Sequence, residues 1–330
     1  MGQGFSFKRT LRSPDFYTTL IITFLNVYFL SASGSIESSH ASQTKPQINK
    51  DNEVVYGTDD RQYVSNSSDP RYQDWAAATA TLVNNMALSP AYGGFLTAID
   101  AVKLKDGQEP VCEDEPYAND PIASYCTGFL VAEDVLVTAG HCQFSIFDCE
   151  NTSWVFDFRR DLVVEGDDLY VDPETVYGCK EIIKQTYNHV TEIDFAVIRL
   201  DRPVTDREPL NVRTSGKVAD GSELAMIGYP NGLAAIVADN AKVQNNNITD
   251  FPEHFLANLD SFKGNSGAPV INSVTGDVEG ILVSGEDDWV FDEANQCVRV
   301  KKCPDNMNGC DGEKALRITV LADVLKDLLP

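Results

Sequence analysis

An all-β architecture, sandwich or barrel, is predicted by three observations. Short apolar runs recur along the chain, each bounded by Gly, Asp, Asn or Pro. A clear helical apolar period occurs in one segment, close to the C-terminus. The 330 residues are 43% hydrophobic and 23% charged, enough for a sizeable core and incompatible with global disorder. The formal charge of −24 excludes a nucleic-acid partner in practice, because phosphates are held by Lys and Arg. It disfavours an anionic membrane surface for the same reason.

Taken in order, the chain begins with Lys8, Arg9 and Arg12, then the apolar stretch Leu20–Leu30, then the small residues Ser31 to Gly34. This order reads as a signal peptide over residues 1–34. The apolar stretch is too short to cross roughly 30 Å of hydrocarbon at 1.5 Å per residue. The expected product is therefore secreted, with no stable membrane insertion after signal cleavage. Residues 35–53 are polar and Ser-rich, without apolar period, and read as a propeptide or linker. Order is expected from Val54. The stretch Trp75–Leu88 fits helix or strand equally well. Strands are expected at Thr127–Val131, Val135–Thr138, Trp154–Phe158, Phe195–Leu200, Leu224–Gly228 and Val278–Val283. Leu321, Val324, Leu325 and Leu328 recur at i, i+3, i+4 and i+7, which predicts an amphipathic C-terminal helix.

Eight cysteines, an even number, fit disulfides in an oxidising compartment. None has the Cys-x-x-Cys spacing of a zinc site, and no paired histidines accompany them, so no metal is expected. His40, His189 and His254 lack ligand spacing and read as surface or core residues. Glu286, Asp287 and Asp288 read as a solvated loop.

Three local motifs carry chemistry, in the order His, Asp, Ser. Thr138-Ala139-Gly140-His141-Cys142 follows an apolar strand; Asp194 enters the apolar run Phe195–Leu200; Gly264-Asn265-Ser266-Gly267-Ala268-Pro269 precedes another strand. A serine hydroxyl is a weak nucleophile that needs an adjacent base. Imidazole suits that role near neutral pH, and a buried carboxylate orients it and stabilises its protonated form. Glycines beside the serine let backbone N–H groups converge on a developing oxyanion, with Gly264 and Ser266 as donors and Asn265 as a weaker one. Singly each motif is compatible with a turn or a cap. Jointly, in a β-rich chain, they point to acyl transfer. The order differs from that of α/β-hydrolases, and their Gly-x-Ser-x-Gly elbow is missing.

With these motifs the chain resembles the trypsin-like (chymotrypsin-fold) serine peptidases, nearest to the V8-like, or glutamyl-endopeptidase, branch. The resemblance implies two six-stranded antiparallel β-barrels, over residues 54–203 and 204–330, with the C-terminal helix in the second. It implies a catalytic triad of His141, Asp194 and Ser266, a disulfide between Cys126 and Cys142, and protein or peptide substrates without a cofactor. The other six cysteines keep all 15 of their connectivities open; Cys149 and Cys179 are one possible pair. Asn265 stands where trypsins carry the Asp that captures a new N-terminus, as in the V8-like branch. Asp260, with Ser284 and Gly285, matches the substrate-binding segments, and its charge suits Arg or Lys at P1, the residue whose carbonyl is attacked. A turn-capping role for Asp260 remains open. Leu282 occupies the strand position where Glu-specific relatives carry His, which weakens a Glu preference relative to a basic or broad one. The rival from another class is a non-catalytic secreted binding protein on the same fold. Oligomeric state is not legible.

Overall fold

The computed structural model describes residues 54–165 and 168–329. The signal and propeptide readings, and His40, lie outside these residues.

Twelve strands build two closed barrels. The first comprises β1 (Thr79–Asn84), β2 (Cys126–Ala132), β3 (Val135–Thr138), β4 (Thr152–Val155), β5 (Val176–Tyr187) and β6 (Asp194–Leu200). Around the ring they run β1-β2-β3-β6-β5-β4, and β4 closes on β1. The second comprises β7 (Glu223–Gly228), β8 (Ile236–Asn245), β9 (His254–Ala257), β10 (Pro269–Asn272), β11 (Val278–Ser284) and β12 (Glu313–Arg317). Its ring runs β7-β8-β9-β12-β11-β10, closed by β10 on β7. Every pairing is antiparallel. Two six-stranded antiparallel barrels with a short C-terminal helix are thus the observed fold.

The strands β2, β3 and β6 are continuous buried runs, not alternating, because one face fills a barrel and the other is covered. Val135–Thr138 is buried at every position, as is all of β6 except Arg199. Leu130, Leu136 and Trp154 fill the first barrel, each burial worth about 2–3 kcal/mol in transfer terms. Phe255, Leu282 and Val270 fill the second.

Three local expectations shift. Trp75–Leu88 holds both elements: a helix Pro70–Ala77, capped by the Asp69 carboxylate on the Arg71 N–H, runs into β1. The strand expected at Trp154–Phe158 ends at Val155, because Asp157 turns the backbone to φ +54°, although Phe156 and Phe158 stay buried. The C-terminal helix buries Leu321 and Leu325 as its period demands. It is a single α-turn, Ala322–Leu325, after a 3-10 turn, since no side chain caps its start.

Four disulfides join Cys112–Cys297, Cys126–Cys142, Cys149–Cys179 and Cys303–Cys310. The first residues described lie against the second half of the chain. Val55–Tyr56 pairs with Lys302–Cys303, and Gln62–Tyr63 adds to the edge of β8. Among the described residues no helix is long and apolar enough to cross a membrane.

Candidate active site

His141 sits on the turn leaving β3, and Asp194 opens β6, the neighbouring strand. Only glycine fits at position 140: a Cβ there would stand 2.1 Å from the Thr186 carbonyl oxygen and 3.0 Å from the Asp194 carboxylate. One carboxylate holds turn and ring together. Asp194 Oδ1 accepts the His141 backbone N–H at 3.0 Å, and Oδ2 lies 2.6 Å from Nδ1. An ionised carboxylate can only accept, so this contact suits the neutral imidazole tautomer with its proton on Nδ1 and its lone pair on Nε2. The Tyr187 ring packs beside the imidazole, 5.8 Å between centroids.

Ser266 lies on the turn between β9 and β10, in the second barrel. Its carbonyl accepts the Thr127 N–H at 2.9 Å, and the Cys142 sulfur packs on the same oxygen at 3.6 Å. That sulfur is bonded to Cys126, so the contact is packing without a proton. Gly267 has φ +87°, and a Cβ there would meet the Thr127 carbonyl oxygen at 2.2 Å and the Ala139 nitrogen at 2.8 Å. The serine turn is thereby pressed against the residues on either side of His141.

The Asn265 N–H donates to the Phe262 carbonyl at 2.9 Å. This leaves the N–H groups of Gly264 and Ser266, which have no acceptor among the described residues. The prospective donors therefore narrow from three to two. Ser284, at the end of β11, faces His141, Asp194, Tyr187 and Glu192 across a cavity of about 20 Å³. A larger cavity, about 620 Å³, opens by Leu96, Asp157, Tyr170 and Asp206 and contains no member of the three motifs.

Asp260 is buried, with Oδ1 accepting the Tyr56 backbone N–H at 2.7 Å and Oδ2 without a hydrogen-bond partner among the described residues. Burial pushes its carboxyl up to about 7. The expected solvated loop at 286–288 is only partly so: Asp288 is 6% exposed, accepts the Lys263 N–H at 3.2 Å, and is raised by burial. A residue that sequence reasoning passed over completes this wall. Glu313 is fully buried and accepts from Ser261 Oγ (2.6 Å), the Glu286 N–H (3.3 Å) and the Tyr56 hydroxyl (3.3 Å). Burial holds its carboxyl well above the usual range. Gly285 is glycine because a Cβ would stand 1.9 Å from the Glu313 carboxylate. No local signal distinguishes Glu313, since its partners come from three distant segments.

Two groupings bring His or Glu near cysteines, Cys126-His141-Cys142 and Glu286-Cys303-Cys310. Every sulfur in them is disulfide-bonded, so neither offers thiolates.

Residues 126–281 match the family model of the trypsin-like peptidase domain. The match, with the two barrels, supports a trypsin-like fold. That interval runs from the first residue of β2 into β11 and contains His141, Asp194 and Ser266. The match to that model and the two barrels support a serine peptidase, and a peptidase domain implies protein or peptide substrates. No curated protein matches the chain. The four disulfides fit an extracellular protein.

Proposed function

We propose that the chain is a secreted serine endopeptidase that works through an acyl-enzyme. The observation that carries this reading is the double contact of Asp194 with His141, beside a serine turn packed on Cys142. Ser266 Oγ attacks the scissile carbonyl while His141 Nε2 takes its proton. The tetrahedral oxyanion is received by the N–H groups of Gly264 and Ser266. His141 then protonates the leaving amine, and a water molecule repeats the sequence to release the acid. Asp194 keeps the ring in the required tautomer and stabilises its cationic form. No cofactor enters these steps.

A cationic P1 side chain is the specificity we infer. Supporting it, Asp260 Oδ2 and Asp288 Oδ1 are buried without hydrogen-bond partners among the described residues, on the segments flanking Ser266 and Ser284. The engagement of Asp260 by Tyr56 supports its alternative role as a backbone clamp. Asn265 in place of an acid supports the V8-like branch and an activation without capture of a new N-terminus by that position. Residues 1–34 are assigned as signal and 35–53 as propeptide, so the intact mass of active protein should begin near Val54.

The test is a peptide-library digest read by mass spectrometry, with Ser266→Ala as control. Cuts that vanish in the control are expected, concentrated after Arg and Lys. Cuts at other residues would keep the triad and return Asp260 to clamping alone. No cuts, with the fold intact, would favour a binding protein on the same barrels.

A further inference from the structure

The loop after Cys142 exposes three large apolar side chains within four residues: Phe144 (61%), Ile146 (61%) and Phe147 (68%). Such side chains usually collapse onto a core, and a cluster left in water marks a contact surface. Here the backbone beneath them is fastened at several points. Ser145 and Asp148 form a reciprocal capping box at the start of the helix Ile146–Asn151. Gln143 Nε2 donates to Thr152 Oγ1, and Asn151 Nδ2 to the Phe147 carbonyl. The Cys149–Cys179 disulfide ties the same helix to β5. The apolar shelf is therefore held outward by a rigid support.

It is also continuous with the catalytic cleft. The Phe144 ring meets Tyr187 edge-on at 6.2 Å, and Tyr187 lies beside the His141 imidazole. In acyl transfer the departing amine must receive its proton from His141, so that half of the substrate leaves along the histidine side. The acyl half is held by the Gly264–Ser266 turn and Ser284 of the other barrel. We infer that the Phe144–Phe147 shelf binds apolar side chains of the substrate on the leaving-group side of the scissile bond. This inference rests on the peptidase reading above.

The experiment compares peptide pairs that are identical except for the two residues following the scissile bond, Leu-Phe against Gly-Ser. kcat/KM is measured for the exported protein, for the double variant Phe144→Ser, Phe147→Ser, and for Phe291→Ser, which alters an exposed phenylalanine on the hairpin strand Trp289–Asp292. The unmodified protein should favour Leu-Phe on the order of tenfold or more, the scale of apolar subsite discrimination. The ratio should fall towards one in the double variant and stay unchanged in Phe291→Ser. Circular dichroism and the rate of Ser266 labelling by a fluorophosphonate confirm that the double variant is folded. Equal rates for both peptides, a preference that survives the double variant, or one confined to the acyl side would each overturn the inference while leaving the peptidase reading intact. Failure to cleave any peptide or to label Ser266 would instead overturn the peptidase reading. Light scattering adds a further arm: a dimer that the double variant dissolves, with cleavage preference unchanged, would assign the shelf to a second copy and overturn the inference.

Discussion

In the first barrel the ring runs β1-β2-β3-β6-β5-β4, and in the second β7-β8-β9-β12-β11-β10, the same path traced twice. What the two rings bury is different. Among the described residues up to 203, Asp194 is the buried carboxylate, and it is held against His141. Beyond that point Asp260, Glu279, Asp288 and Glu313 are all buried, and three of them gather behind the segments that flank Ser266 and Ser284. The histidines diverge likewise. His141 is partly exposed and paired with a carboxylate, whereas His254 is enclosed, with burial pushing it down to about 4. On the function proposed above, one scaffold would present a base and its orienting acid from one copy, and a nucleophile beside an acidic wall from the other. Connectivity is shared; loop and strand-end residues divide the work.

The strongest way to break this division is at its seam. Asp194→Asn keeps an acceptor for the His141 N–H but favours the wrong imidazole tautomer. It should lower kcat about 10⁴-fold while leaving the melting temperature close to that of the parent. A variant retaining full turnover would remove Asp194 from the mechanism.

Gly267→Ala tests how closely the barrels must approach. The new Cβ would collide with backbone of the first barrel, and a positive φ disfavours any side chain. A loss on the order of 1–3 kcal/mol or more is expected in chemical denaturation, with activity falling further because the serine turn shifts.

Replacing Cys126 and Cys142 together by Ser opens a link of 16 residues' separation around His141. About 3 kcal/mol of stability should be lost, with catalysis impaired beyond the change in folded fraction.

The smallest effect sharpens the contrast in buried charge. Asp260, raised to about 7, binds its proton more tightly when folded than when unfolded. Its contribution favours folding below the ordinary carboxylate range and is lost as pH rises towards 7. His254, lowered to about 4, contributes in the opposite sense, costing stability as pH falls from about 6.5 to 4. The melting temperature of Asp260→Asn relative to the parent should therefore climb between pH 4 and 7, by roughly 2–4 °C per kcal/mol, and level off above. A difference independent of pH would place the ionisation of Asp260 outside the stability balance.

Much of this organisation is legible in the residues. Continuous apolar runs mark strands covered on both faces, and the His, Asp and Ser motifs are local enough to recognise before any fold is known. The opaque parts depend on contacts distant in sequence. Asp260 reads as a pocket acid or a turn cap, and its contact with the N–H of Tyr56, 204 residues away, leaves no local signal. Glu313 opens an ordinary strand, and its partners lie 27, 52 and 257 residues distant, beyond any local pattern. Asp288 sits in an acidic run that composition alone assigns to solvent. The C-terminal period identifies the buried face correctly but not the length of the helix, because length depends on a cap that the sequence lacks.

Reaction with a fluorophosphonate, followed by peptide mapping, reports whether Ser266 is the activated nucleophile. A single covalent adduct on Ser266 is expected, formed rapidly by the parent and abolished in His141→Ala although that variant remains folded. An adduct on another residue, or peptide cleavage undiminished after Ser266→Ala, would contradict that role.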